Sequence, residues 1–128
     1  MGNGTSIGRV RGLGSAHSGA HHWLMQRLTA IGSLVLVPWL LFSLITLPNL
    51  HYETVHEWLA RPVPATAMGL LVVTSFWHGR LGMQVMIEDY VHEHANKFAV
   101  MTLLNLAAFA GAAFGLFCVV RIALGGIA

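Results

Sequence analysis

A chain of 128 residues in which 55% are hydrophobic and only 9% are charged has too little polar surface to cover a water-soluble domain. Its formal net charge of +2 comes from scattered Lys and Arg residues, which excludes the clustered basic surface of a nucleic-acid-binding protein. Lipid is therefore the expected solvent, and we expect an all-α membrane protein.

Three apolar stretches reach the length of roughly 20 residues that a membrane-spanning helix needs. They lie at about 28–47, 64–87 and 98–124. We therefore expect a three-helix transmembrane anchor domain over 28–128 and an N-terminal tail over 1–27. These segments leave no room for a soluble catalytic domain, so any multi-step chemistry must be shared with partner chains.

The Lys and Arg residues beside the spans predict the orientation, because such residues are in excess on the cytoplasmic side. Four lie on one side of the membrane and two on the other. They are Arg9, Arg11, Arg27 and Lys97 against Arg61 and Arg121. We therefore expect the N-terminus and the loop 88–97 in the cytoplasm, or in the matrix of a mitochondrion.

The segment between the first two spans, 49–62, is expected to be a loop at the membrane surface. It follows Pro48, which should end the first helix because proline cannot continue the backbone hydrogen-bond pattern. Trp58 is an aromatic residue of the kind that anchors chains at a membrane interface.

The second span carries two ionisable residues, His78 and Arg80, inside an apolar stretch. Such groups are costly in lipid, so they normally face protein or a cavity and mark function. If Asp89 and Tyr90 lie at the cytoplasmic interface, His78 lies eleven residues deeper. That depth is roughly 16 Å at 1.5 Å per residue, near the middle of a hydrocarbon core of about 30 Å.

One face of the second span collects its polar positions, because successive residues of a helix are 100° apart. The face consists of Leu71, Thr74, His78, Gly82, Val85 and Asp89. Gly82 leaves the space beside the imidazole that a flat macrocycle needs, so the spacing suits His78 as an axial haem ligand and suits its alternative equally. The alternative is a core histidine bonded to a neighbouring helix. We expect no other histidine to be buried, so a six-coordinate haem would need a second ligand from another subunit.

The third span has small residues at four-residue spacing, namely Ala107, Gly111 and Gly115. This pattern lets two helix backbones approach closely in a membrane, so we expect this face to pack against a partner helix.

Two sequence motifs and the three-span topology resemble a known family. His78, Gly82, Asp89 and Tyr90 form an H-x3-G-x6-D-Y arrangement, and the first span opens at 27–30 with R-x-T-A. Together with the expected cytoplasmic N-terminus, these features resemble the small hydrophobic membrane-anchor subunits of succinate dehydrogenase, respiratory complex II. The resemblance covers nearly the whole chain.

The resemblance implies a haem b held between this chain and a sister anchor of the cytochrome b556 type. His78 would be this chain's axial ligand to the haem iron, Gly82 would pack against the haem, and Arg27 would pair with a propionate. Tyr90 would donate a hydrogen bond to ubiquinone, the substrate, and Asp89 would shape that site. Without the resemblance, Arg27 is a positive flanking residue, and Asp89 and Tyr90 are an ordinary interfacial helix end.

The resemblance also implies partners and a reaction. The chain would dock the flavoprotein and iron–sulfur subunits to a bacterial inner membrane, or a mitochondrial one, for electron transfer from succinate to quinone. It would thus be a non-catalytic component of succinate dehydrogenase (quinone), with its helices in a larger bundle. One alternative is the anchor of a quinol:fumarate reductase.

Arg80 departs from the family pattern, in which that position is usually uncharged. It lies 200° around the helix from His78, so it points to another face. A second alternative function follows, because His78 and Arg80 would also suit the proton or substrate path of a small transporter or assembly protein without haem.

Overall fold

The computed structural model describes residues 17–125, which form four helices in chain order. They are α1 (His17–Thr46), α2 (Tyr52–Leu59), α3 (Pro62–Tyr90) and α4 (His94–Ala123). The all-α prediction is confirmed. Residues 1–16 of the predicted tail, with Arg9 and Arg11, and residues 126–128 lie outside the described residues.

The helices extend beyond the apolar stretches that predict them. α1 begins at His17, well inside the predicted tail, and α3 ends shortly before His94 begins α4. Hydropathy marks the part of a helix that lies in lipid, whereas backbone hydrogen bonding continues into the polar headgroup region. The predicted loop 88–97 is therefore reduced to the short connection 91–93.

The segment between α1 and α3 is a helix rather than the expected loop. Residue Arg61, which separates α2 from α3, has an extended backbone (φ −73°, ψ 146°) because a residue before proline avoids the helical region. α2 consequently lies at 90° to α3. Trp58 is buried within the chain, and its ring stacks on Trp39 of α1 with 5.8 Å between the ring centroids.

Among the described residues, α1 and α4 are each long and apolar enough to cross a membrane by themselves. α3 meets the same test only together with α2, as a bent pair. Its polar residues, including His78, Arg80 and Gln84, lower its mean hydropathy. The structure thus has two clear candidate spans and a third that carries the unusual polar groups.

α3 lies between the other two long helices, and within residues 17–125 α1 and α4 do not contact each other. The apolar core is accordingly small, and large side chains such as Ile45 and Phe109 are 81% and 78% exposed. Three helices in a row with apolar outer faces suit a bundle completed by lipid or by other subunits.

The small residues of α4 pack against α3, which confirms that this face has a partner helix. A Cβ added to Gly111 would collide with the ring of Phe76, and one added to Gly115 would lie 2.8 Å from Cγ1 of Val72. The backbones therefore approach closely at these two glycines because they lack side chains.

Candidate functional site

His78 lies at the contact between α1 and α3. Its ring nitrogen Nδ1 is 3.1 Å from the hydroxyl oxygen of Thr29 in α1. The same two helices meet one turn to either side, where a Cβ on Gly32 would lie 3.1 Å from Thr74 and a Cβ on Gly82 would lie 3.9 Å from Gln26. The polar face predicted for the second span thus points toward α1.

The other ring nitrogen of His78, Nε2, makes no hydrogen bond with any residue in the range 17–125. It is also absent from the fully buried polar atoms that lack a partner, so among residues 17–125 this half-buried side chain keeps some exposed surface at Nε2. An imidazole nitrogen without a hydrogen bond, about midway along α3, has the chemistry that a haem axial ligand requires. The described residues contain no cluster of three or more metal-ligating side chains.

Gly82 lies one turn from His78, on the side toward the C-terminal end of α3. The nearest side-chain atom to a Cβ at this position would be Nε2 of Gln26, at the ordinary contact distance of 3.9 Å. The open space beside the imidazole is therefore shared with α1, a neighbour that the sequence did not indicate.

Two polar side chains of α1 have buried atoms that lack a hydrogen-bond partner in the described chain. They are His22, through Nε2, and Gln26, through Oε1. His22 is half-buried, as His78 is, because α1 begins earlier than predicted, and no described histidine is fully buried. The sequence feature that indicates this polar face of α1 is the spacing of His22, Gln26 and Thr29, which places all three on one side of a helix.

Arg27 is exposed and its guanidinium lies 5.4 Å from the centroid of the Trp23 ring. This distance is within the range of a cation–π contact, which holds a guanidinium without neutralising it. The charge therefore remains accessible to an anionic group that belongs to another molecule.

Asp89 and Tyr90 are the last two residues of α3, and both are exposed; Tyr90 is 79% exposed. The adjoining turn is closed by Lys97, whose Nζ donates a 3.2 Å hydrogen bond to the backbone oxygen of Glu88. The two predicted quinone residues thus lie together at the end of α3 that leads to His92, and no described side chain covers the tyrosine.

Two apolar grooves, of about 440 and 690 Å³, lie along the junction of α3 and α4. Both are bordered by Phe76 and Arg80, and neither includes His78 or Tyr90. The grooves therefore lie on a different side of α3 from His78.

Residues 1–112 match the family described as succinate dehydrogenase/fumarate reductase transmembrane subunit. The chain belongs to that family. It is 34% identical over 117 residues to the succinate dehydrogenase hydrophobic membrane anchor subunit of Rickettsia conorii, covering 91% of this chain and 85% of that one. The same-named protein of Rickettsia bellii is 41% identical over 85 residues, covering 66% and 68%.

The corresponding anchor protein of Paracoccus denitrificans is 32% identical over 121 residues, which covers 92% of this chain and 91% of its relative. The predicted resemblance to succinate dehydrogenase anchor subunits is confirmed. The chain is thus a membrane anchor of the succinate dehydrogenase/fumarate reductase family.

Proposed function

We propose that this anchor serves a succinate:ubiquinone oxidoreductase, in which it supplies one axial ligand to a haem b and part of the ubiquinone site. The observation that carries the proposal is the state of His78: one ring nitrogen is bonded to α1, and the other is unengaged and partly exposed. Its relatives in Rickettsia and Paracoccus carry succinate dehydrogenase names, which supports this direction over fumarate reduction.

On the haem side, three residues of this chain have separate tasks. His78 presents Nε2 to the iron, and Gly82 adds no side chain beside the imidazole. Arg27, which is exposed and not neutralised by its Trp23 contact, binds a propionate. When bound there, a haem b supplies a one-electron carrier at mid-depth of the membrane.

At the quinone site, Tyr90 donates a hydrogen bond from its hydroxyl to a quinone carbonyl oxygen, and Asp89 shapes the pocket. The carbonyl oxygen becomes more basic as electrons arrive, so the phenol binds the reduced states more strongly and favours reduction. Because Tyr90 is 79% exposed in this chain alone, the remaining walls of the pocket come from partner subunits.

The partners follow from these incomplete sites. The sister anchor of the cytochrome b556 type would supply the second axial histidine, since His78 is this chain's proposed ligand and a six-coordinate haem needs two. The iron–sulfur and flavoprotein subunits dock on the cytoplasmic side, next to Asp89 and Tyr90. The apolar outer faces of α1 and α4 contact lipid and the sister anchor.

The test is the reduced-minus-oxidised visible spectrum of the purified complex. His78→Leu removes the ligand from this chain, so the b-type haem should be lost or should change its spin state. The matched control is His51→Leu, because His51 is exposed and lies beside α2 at the other end of α3. An unchanged haem spectrum in the His78 variant would refute the assignment, and a wild-type complex without haem would favour a transporter or assembly protein.

A further inference from the structure

The position of the Thr29 hydroxyl proton follows from the groups around it. The hydroxyl oxygen lies 2.8 Å from the backbone oxygen of Met25 and 3.2 Å from that of Gln26. A carbonyl oxygen accepts hydrogen bonds and never donates, so an oxygen this close to it must direct its own proton there. The hydroxyl proton of Thr29 is therefore used within α1, as those of Thr66 and Thr74 are within α3.

The same oxygen lies 3.1 Å from Nδ1 of His78. Because the only proton of the Thr29 hydroxyl is directed at Met25, this oxygen acts as an acceptor toward the imidazole. The proton between them belongs to Nδ1. A neutral imidazole carries one protonated nitrogen, so the lone pair of His78 resides on Nε2.

We infer that Thr29 is a positioning residue that fixes the tautomer and orientation of His78 and thereby makes Nε2 the nitrogen available to a haem iron. The inference rests on the proposed function, because it assigns a role toward that haem. Metal-ligating histidines almost always donate their other N–H to a fixed acceptor, and loss of that acceptor weakens metal binding about 10- to 100-fold. Here the acceptor comes from a neighbouring helix of the same chain.

The two hydrogen bonds form a chain from His78 through Thr29 to the carbonyl of Met25. A hydroxyl that donates becomes a better acceptor, so the bond to Met25 strengthens the bond from Nδ1. Donation from Nδ1–H in turn makes Nε2 a stronger electron donor to a metal. Stronger donation favours the ferric state of a ligated iron and lowers its midpoint potential.

The experiment uses the complete purified complex with three variants of this chain. Thr29→Val keeps the shape of the side chain and removes the acceptor, whereas Thr29→Ser keeps the hydroxyl. Thr66→Val is the matched control, because the Thr66 hydroxyl makes the same type of bond, 2.8 Å to the backbone oxygen of Pro62. Thr66 lies near the N-terminal end of α3, twelve residues before His78. The readouts are haem content per complex, the potentiometric midpoint of the haem, and the electron paramagnetic resonance spectrum of the ferric haem.

Thr29→Val should raise the midpoint potential and shift the ferric resonance, with reduced haem content, while Thr29→Ser and Thr66→Val should match the wild type. Wild-type potential and resonance in Thr29→Val would overturn the inference, as would a Thr29→Ser variant that behaves like Thr29→Val. Either of these two results refutes the role of Thr29 alone, and the proposed function stands if His78→Leu still loses or alters the haem. A haem spectrum that is unchanged in His78→Leu overturns the proposed function and the role of Thr29 together.

Discussion

Arg80 of α3 donates a 2.6 Å hydrogen bond from Nε to the side-chain oxygen of Asn105 in α4. The bond lies on the side of α3 that faces away from the His78–Thr29 contact. It gives the intramembrane cation a neutral acceptor from the neighbouring helix, next to the close approach at Gly111. The guanidinium is thus held between helices rather than directed into the predicted haem region.

Loss of this acceptor should destabilise the complex. Asn105→Leu leaves a partly buried guanidinium without its oxygen partner, which we expect to cost about 1–3 kcal/mol and to lower the midpoint of thermal unfolding. In a double-mutant cycle with Arg80→Met, the double variant should be less damaged than the sum of the two single variants. Strictly additive effects would contradict the pairing and would place the main partner of Arg80 on another subunit.

The close approach of α3 and α4 predicts a steric effect. Gly111→Ala adds a methyl group that collides with Phe76, so the complex should lose about 1–3 kcal/mol of stability. Gly79→Ala is the matched control, because nothing in the described chain lies within 4 Å of a Cβ there. Adding Phe76→Leu to Gly111→Ala should restore part of the lost stability. If the complex with Gly111→Ala alone unfolded like the wild type, the helices would not meet at this glycine.

The quinone assignment predicts a selective loss of activity. Tyr90→Phe deletes one hydrogen bond to a group that gains charge, worth about 1.5–3 kcal/mol, so quinone reduction should slow roughly 10- to 150-fold. Succinate oxidation with an acceptor that takes electrons from the soluble subunits should be unchanged. The control is Tyr52→Phe, since Tyr52 is the other tyrosine of the chain and lies in α2.

A parallel fall in both activities would make Tyr90 a structural residue. Equal quinone reduction in the Tyr90 and Tyr52 variants would place the quinone elsewhere.

The orientation predicts the outcome of cysteine labelling in intact cells. In a Cys118→Ser background, His92→Cys and Gly4→Cys should be labelled only after the membrane is permeabilised, because the N-terminus and the 91–93 connection are expected in the cytoplasm. Leu50→Cys, in the exposed connection between α1 and α2, should be labelled from outside. The reverse pattern would mean that the four-to-two bias of basic residues does not set the topology.

Periodicity predicted which residues share a face, and the structure confirms it for α3. Thr74, His78 and Gly82 all face α1, and the predicted small-residue face of α4 meets α3. These features could be predicted because they depend only on the 100° repeat of a helix and on the size of each side chain.

Contacts between helices could not be predicted in the same way. The bonds from His78 to Thr29 and from Arg80 to Asn105 depend on the register of one helix against another, which the repeat within a helix does not specify. The N-terminal extension of α1 was missed because hydropathy does not report helical residues outside lipid. The burial of Trp58 was missed because α2 was expected to be a loop.

The separation of α1 from α4 within residues 17–125 also constrains the order of events during synthesis. α1 leaves the ribosome first, and the partner for its polar face, which includes Gln26 and Thr29, lies more than forty residues later in α3. Within residues 17–125 α4 does not contact α1, so α3 is the helix of this chain that covers this face. The contact between the first two long helices can therefore form before α4 is synthesised.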